Sequence, residues 1–119
     1  MTKSKKLNSE VIFLKDLIPT KVNHGKGTKF VFLPKESLNN NLTQIAYGTF
    51  LPGESCDFHI HQTMDEYFFF IKGSGVYIIE DKEIEIEAGL FLEITSGKKH
   101  RLLANGKDKL EFVYWGIAV

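Results

Sequence analysis

Residues 53–73 read GESCDFHIHQTMDEYFFFIKG, and they contain both the clearest chemical signal and the clearest strand of the chain. His59 and His61 are separated by one residue, so in an extended segment both imidazoles project from the same face. Glu66 follows after four residues, enough to turn the chain into the next strand. Neighbouring strands would thus bring two imidazoles and a carboxylate within reach of one ion.

A third imidazole, His100, opens a later apolar run directly after the turn SGKK. Three neutral imidazoles and one carboxylate suit zinc, iron, manganese, copper or nickel, and the residue types do not choose among these metals. A histidine pair alone is weak evidence, and a single histidine is usually a surface residue, which is our interpretation of His24 in a glycine-rich loop. The combination of the pair, the glutamate and His100 is a candidate metal site.

After residue 40 the chain alternates short apolar runs with turn signals such as KGSG (72–75), SGKK (96–99) and NGKDK (105–109). This pattern predicts eight or more strands and no helix, hence an all-β sandwich or barrel. CDFHIH (56–61) is predicted to be one of the strands, and Asp81-Lys82 to be a two-residue hairpin turn. Closing the sheet would also protect the edges of so many apolar strands.

Alternation of apolar and polar residues within the strands predicts which faces are exposed to solvent. EIEIE (83–87) places its isoleucines on one face and its glutamates on the other. By contrast EYFFFIKG (66–73) and LEFVYWGIAV (110–119) are apolar on both faces, so their outer faces need a cover. A partner subunit and the chain's own N-terminal segment are equally good covers, and the first of them predicts a homodimer.

The composition excludes several classes of protein. The 119 residues carry 15 Lys and Arg against 15 Asp and Glu, and Arg101 is the sole arginine, so the basic surface of a nucleic-acid-binding protein is not expected. One cysteine allows no intrachain disulfide, which fits a reducing compartment. No stretch approaches the roughly 20 apolar residues of a membrane span, and charges interrupt the N-terminal apolar runs where a signal peptide is continuous. We predict a single cytoplasmic domain.

The spacing of residues around the histidine pair resembles a known motif. Five residues separate Gly53 from His59, four separate His61 from Glu66, and six separate Glu66 from Gly73. This spacing is similar, without a gap, to the first conserved motif of the cupin family.

A second stretch is similar to the second cupin motif, in which a glycine, a proline, a glycine and a histidine follow at fixed intervals. Gly89, Thr95, Gly97 and His100 fall at those positions. Thr95 replaces the proline of the family, and Asn105 stands one residue later than the family's asparagine. Both departures affect local turns and leave the metal-ligating positions intact. The resemblance covers residues 43–119.

The resemblance implies an antiparallel jelly-roll β-barrel with one divalent transition metal at its mouth. The implied ligands are His59, His61, Glu66 and His100, with open positions for water or a small-molecule substrate. It also implies a dimer that exchanges N-terminal strands. We therefore expect a cupin barrel over residues 41–119 and an N-terminal segment, residues 1–40, that packs on the barrel or on a partner. Four glycines are expected to be turn residues at positive φ: Gly53, Gly73, Gly89 and Gly97.

Other polar residues near the motif have alternative explanations. Asp65 could ligate in place of Glu66, but strand alternation lets only one of the two face inward, and the motif favours Glu66. Cys56 is more simply a small buried residue than a thiolate ligand. Lys98 and Lys99 are either a solvated turn or a cationic lip that attracts an anionic substrate.

The sequence leaves three functions open. The first is a metal-dependent enzyme of dioxygenase or isomerase type, with Glu66 as a base and the hydroxyls of Tyr47 and Tyr114 orienting the substrate. The second is a non-catalytic module that binds or senses a small molecule or a metal. The third is a sugar-modifying isomerase or epimerase, which is weakened because alternation turns Arg101 away from the face of His100.

Overall fold

The computed structural model describes residues 11–22 and 25–119, so the lysine-rich start and His24 lie outside the described residues. The described chain forms nine strands and two short 3-10 turns, Leu14–Asp16 and Lys35–Ser37, which confirms the all-β prediction. No helix in these ranges is long and apolar enough to cross a membrane. The strands are β1 (Thr20–Lys21), β2 (Thr28–Leu33), β3 (Leu42–Phe50), β4 (Met64–Lys72), β5 (Gly75–Ile79), β6 (Lys82–Ile86), β7 (Phe91–Ile94), β8 (His100–Leu103) and β9 (Leu110–Ala118).

The strands form two antiparallel sheets. The larger has the order β1-β2-β3-β9-β4-β7, and the smaller has the order β6-β5-β8. The core between them contains five large rings that pack at centroid distances of 5.2–6.0 Å: Phe50, Phe68, Phe70, Tyr77 and Phe112. This double-sheet jelly roll matches the predicted architecture.

Alternation along β4 is as the sequence predicts. Glu66, Phe68 and Phe70 are buried toward the core, whereas Phe69 on the opposite face is 43% exposed. The glutamates of β6 are exposed, and Ile86 is buried. Period-two arguments therefore place the inward carboxylate correctly.

The predicted strand over residues 56–61 is wrong, because the segment pairs with β8 only through isolated bridges. Side chains interrupt the ladder. The backbone N–H of Leu102 donates to the Sγ of Cys56 (3.3 Å), and the Nε of Arg101 donates to the carbonyl of Cys56 (3.0 Å). Regular backbone pairs return at His59 and His100, whose N–H and C=O groups exchange two bonds of 3.0 Å.

The predicted hairpin turn is displaced by one residue. Ile79 pairs with Lys82, so Glu80 and Asp81 form the turn between β5 and β6. Glu80 adopts a φ of 58°, the left-handed conformation that such turns require. Its carboxylate accepts a hydrogen bond from the backbone N–H of Lys99, which holds this turn against the one before β8.

The segment before residue 41 contributes β1 and β2 to the larger sheet. Leu14 and Leu17 lie beside Phe30 and Tyr47 on the outer face of that sheet, where they line a shallow groove. The N-terminal segment thus covers one end of the outer face. At the other end Phe91 remains 53% exposed, and its ring stacks on Tyr67 with centroids 6.2 Å apart. Trp115 also stacks on Tyr67 and lies 6.3 Å from Phe91, so the three rings form one cluster.

The four glycines predicted to need positive φ have φ values between 88° and 94°, but they differ in surroundings. A Cβ on Gly73 would lie 2.5 Å from the carbonyl oxygen of Lys109, whereas one on Gly53 would meet nothing within 4 Å.

Gly53→Ala should therefore cost about 1–2 kcal/mol of backbone strain. Gly73→Ala should cost about 1–3 kcal/mol more, because the chain must also shift away from Lys109. Urea unfolding of the two variants measures this difference, and equal losses would contradict the close approach.

Candidate metal centre

The structure brings together the four side chains that the sequence singles out. His59 and His61 come from the irregular segment before β4, Glu66 comes from the inner face of β4, and His100 is the first residue of β8. One ligand atom from each lies within 4.8 Å of all the others. Ligand atoms that share an ion at about 2.1 Å lie about 3 Å apart in adjacent positions and about 4.2 Å apart in opposite ones. The cluster therefore needs little contraction to fit one ion.

Backbone carbonyls fix the orientation of two of the imidazoles. The Nδ1 of His59 lies 2.8 Å from the carbonyl of Asp57, and the Nδ1 of His100 lies 2.8 Å from the carbonyl of Lys98. A carbonyl can only accept, so each Nδ1 carries the proton and donates it. In the neutral imidazole, Nε2 is then the nitrogen with the lone pair, which is the tautomer that a metal requires.

Glu66 and His100 meet in a way that hydrogen bonding within the protein does not satisfy. The Oε1 of Glu66 lies 3.3 Å from the Nε2 of His100 and 3.5 Å from the Nε2 of His61. Among the described residues, this Oε1 and the Nε2 of His100 are buried atoms with no hydrogen-bond partner. An unsatisfied buried polar group costs about 1–3 kcal/mol. A cation between the two acceptors removes that cost, so the cluster is suited to a metal ion.

A cavity of about 140 Å³ adjoins the cluster between the two sheets. One water needs roughly 10–15 Å³ of such volume, so the cavity admits a small organic molecule. Its wall is mostly apolar and aromatic. The cluster is buried on the side of Glu66 and His100, and half-exposed on the side of His59 and His61, so the opening lies near the latter pair.

Two tyrosines line the cavity, Tyr77 and Tyr114. Burial raises the pKa of both hydroxyls, and the nearby carboxylate of Glu66 raises each pKa further. At neutral pH both therefore remain protonated and can donate hydrogen bonds to a ligand. Burial likewise raises the pKa of the Cys56 thiol, so this residue lines the cavity as a neutral group.

The structure does not bring every sequence candidate to the cluster. Tyr47 lies on the outer face of the larger sheet, where its hydroxyl donates a hydrogen bond to Glu111. Burial and that carboxylate raise the pKa of the Tyr47 hydroxyl. The carboxylate of Asp65 accepts a hydrogen bond of 2.8 Å from the backbone N–H of Ser96, away from the cluster. Of the two candidate tyrosines, only Tyr114 shares a cavity with Glu66.

The basic residues beside His100 point outward. Arg101 donates to the backbone of Cys56, and its guanidinium lies 5.7 Å from the ring centroid of Phe58. The ammonium of Lys99 lies 5.1 Å from the same ring, and Lys98 is exposed. The outward orientation predicted for Arg101 is therefore confirmed.

Sequence reasoning missed two polar residues that line the cavity, Lys29 and Gln44. The apolar run of β2 begins at Phe30, so composition alone places Lys29 before the strand, whereas the strand begins at Thr28. The available signal was alternation, since Lys29 and Val31 share a face once the strand is extended to Thr28.

A family model for the cupin domain matches residues 46–116. The match covers more than half of the chain, includes all four cluster residues and agrees with the double-sheet barrel. The chain belongs to the cupin family.

Individual relatives are similar over most of the chain. An oxalate-binding protein of Thermotoga maritima is 27% identical over 108 residues, which span 87% of this chain and 89% of that protein. The crystal structure of a predicted oxalate decarboxylase from Thermotoga maritima superposes with a TM-score of 0.84 at 27% identity, over 92% of this chain and 99% of that one. The polyketide cyclase RemF of Streptomyces resistomycificus, with a TM-score of 0.80 and 15% identity over 92% of this chain and 79% of that one, shares the fold.

Proposed function

We propose that this cupin binds one divalent transition metal through His59, His61, Glu66 and His100. The observation that carries the proposal is the pair of buried acceptors, on Glu66 and His100, that face each other with no hydrogen-bond donor between them. A bound metal would supply a Lewis acid with open positions for an anionic ligand. Iron, manganese, zinc, nickel and copper all suit three imidazoles and one carboxylate.

The ligand that we propose is a small organic acid of the size of oxalate. Supporting this, a relative similar over most of the chain is named an oxalate-binding protein, and the cavity of about 140 Å³ fits a small molecule. The Tyr77 and Tyr114 hydroxyls and the Cys56 thiol, each with a raised pKa, do not supply a base at neutral pH. These groups favour holding a ligand over transferring its protons, so binding is the first candidate function.

A metal-dependent enzyme of dioxygenase or isomerase type is the second candidate. The observation in its favour is that Glu66 and Tyr114 line one cavity, so a ligand there would contact both. Glu66 would accept a proton and the Tyr114 hydroxyl would orient the substrate by donating a hydrogen bond. A sugar-modifying isomerase or epimerase receives no further support, because Arg101 faces away from the cavity.

Elemental analysis of the protein, purified without a histidine tag, tests the metal site. We expect about one equivalent of a divalent transition metal, and none in the double variant His59→Ala, His61→Ala. Chelator-treated protein should regain stability when metal is returned. At a free metal concentration about 100 times the dissociation constant of the site, the free energy of unfolding should rise by about 2.7 kcal/mol. That gain corresponds to a rise in melting temperature on the order of 10 °C. A protein that takes up no metal after reconstitution, or a double variant that takes up as much, would contradict the site.

Calorimetric titration with oxalate tests the ligand class. Metal-loaded protein should bind oxalate, and metal-free protein should bind it at least tenfold more weakly, because the metal supplies the main positive charge. Tyr114→Phe should weaken binding by about 0.5–1.5 kcal/mol, the contribution of one hydrogen bond. Tyr47→Phe, on the outer face, is the matched control and should leave it unchanged. Mass spectrometry of the recovered ligand separates binding from turnover, and metal-independent binding would refute the proposal.

We also propose that the protein is a cytoplasmic homodimer, with a second copy covering the outer face of the larger sheet and residues 1–40 packing on the barrel or on that partner. The exposed ring of Phe91, stacked with Tyr67 and close to Trp115, supports this because such aromatic surface is costly to leave in water.

Sedimentation of Phe91→Lys tests the dimer. We expect the wild type to sediment as a dimer and the variant as a monomer at micromolar concentration, because a buried charge has no partner at an apolar interface. Phe58→Lys is the matched control, since Phe58 is similarly exposed (41%) but precedes the cluster on the side of the smaller sheet. A monomeric wild type, or dissociation by both variants, would count against this interface.

A further inference from the structure

The inner face of the larger sheet carries a lysine at the end far from the metal centre. Lys29 pairs with Gly48 across β2 and β3, and Gly48 pairs with Phe112 across β3 and β9. Paired residues in antiparallel strands share a face. Because the ring of Phe112 is in the core, Lys29 faces inward, and its side chain lines the same cavity as His59, His61 and Glu66.

A second polar residue that lines the cavity, Gln44, stands on β3, between the strands of Lys29 and Glu66. Gln44 pairs with Gly116, and Gly116 pairs with Glu66, so the three residues form one row across β3, β9 and β4. Strands are about 4.8 Å apart, which puts the Cα atoms of Gln44 and Glu66 about 10 Å from each other. A Cβ on Gly116 would meet the Oγ1 of Thr43 and the Sδ of Met64, so these two groups lie over the middle of the row. Gln44 and Glu66 both line the cavity on either side of them.

Lys29 has no carboxylate partner among residues 11–22 and 25–119. Within those ranges the contacts between basic side chains and carboxylates are the two that Glu66 makes with His61 and His100, and neither involves a lysine. The side chain of Lys29 is partly buried, and an ammonium that is partly removed from water is stabilised by a nearby opposite charge. An anion in the cavity would supply the missing charge.

With a metal bound, the cavity would carry two positive charges, which match the charge of a dianion. A divalent metal with one carboxylate ligand carries one net positive charge, and Lys29 contributes a second. The two charges lie at different ends of the cavity wall, since Lys29 stands on β2 and Glu66 on β4, three strands away in the larger sheet. The row of Lys29 is also four residues from the row of Glu66 along the strands, so the bridging ligand must be a long one. A ligand with two separated anionic groups would satisfy both.

We infer that Lys29 is a specificity-determining residue that binds the second carboxylate of a dicarboxylate whose first carboxylate is held at the metal centre. Gln44 donates a hydrogen bond from its amide to the ligand between the two ends. This inference rests on the proposed function, and it adds the substrate class: dicarboxylates longer than oxalate are preferred over monocarboxylates of the same shape.

The experiment compares glutarate and adipate with pentanoate and hexanoate, in which a methyl group replaces one carboxylate. Affinities are measured by calorimetry on metal-loaded protein, with metal content determined for every sample. The wild type should prefer each dicarboxylate to its monocarboxylate counterpart. Lys29→Gln should lower dicarboxylate affinity about ten- to a hundredfold, the value of a hydrogen bond to a charged group, and leave monocarboxylate affinity and metal content unchanged.

Two further variants separate the ligand contact from other effects. Lys26→Gln removes the same charge from an exposed position three residues away and should behave as the wild type. Lys29→Arg retains the positive charge and should restore most of the preference for dicarboxylates. If Lys29→Gln also lowers the melting temperature, this rescue still distinguishes a charge requirement from a packing requirement.

The results of these titrations distinguish a failure of the role of Lys29 from a failure of the proposed function. A wild type that binds metal and oxalate but shows no preference for dicarboxylates, or a preference that survives in Lys29→Gln, overturns the role of Lys29 and leaves the proposed function standing. A wild type that binds neither metal nor any carboxylate overturns both. Loss of the preference in Lys29→Gln, with retention in Lys26→Gln and Lys29→Arg, supports the inference.

Discussion

The contact between Glu66 and His100 is the constraint on which the arrangement of the site depends. Glu66 belongs to the larger sheet and His100 to the smaller, and their strands are not hydrogen-bonded neighbours. Two hydrogen-bond acceptors thus approach to 3.3 Å in the interior, where water does not screen their repulsion. A cation at this point would connect the two sheets and the segment that carries His59 and His61. A metal bound there would therefore be a structural link across the barrel as well as a chemical site.

The irregular segment before β4 serves that link. A regular strand would pair every second residue with β8 and hold the segment flat against it. Instead the Cys56 thiol and the Arg101 guanidinium take over positions in the ladder, and backbone pairing resumes where His59 meets His100. The carbonyl of Asp57 then fixes the ring of His59. Local side-chain hydrogen bonds thus set the direction of the imidazoles more than strand geometry does.

Alternation and motif spacing were enough to predict the barrel, the inward face of β4 and the membership of the cluster. They failed on β3, where the small residues face the core and the large residue faces outward. On β3 the small Ala46 and Gly48 face the core, because the rings of β9 lie over them, and the large Tyr47 faces outward. Sequence alone does not reveal which strand lies beside β3, so Tyr47 and Tyr114 looked equivalent. Lys29 was missed for a related reason, since a lysine at the start of a strand reads as a loop residue.

The same strands that line the cavity also present the aromatic outer face, and this double use explains their two-sided composition. On β9, Tyr114 points into the cavity and Trp115 points outward to stack on Tyr67. A cover on the outer face can therefore bury the exposed rings without approaching the cluster, whose half-exposed side, at His59 and His61, belongs to the segment bridged to the smaller sheet. The small residues of β3 complete the division. They make room on the inner face for the β9 ring of Phe112, which a Cβ on Gly48 would meet, while the outer face of the same strand keeps the bulk of Tyr47.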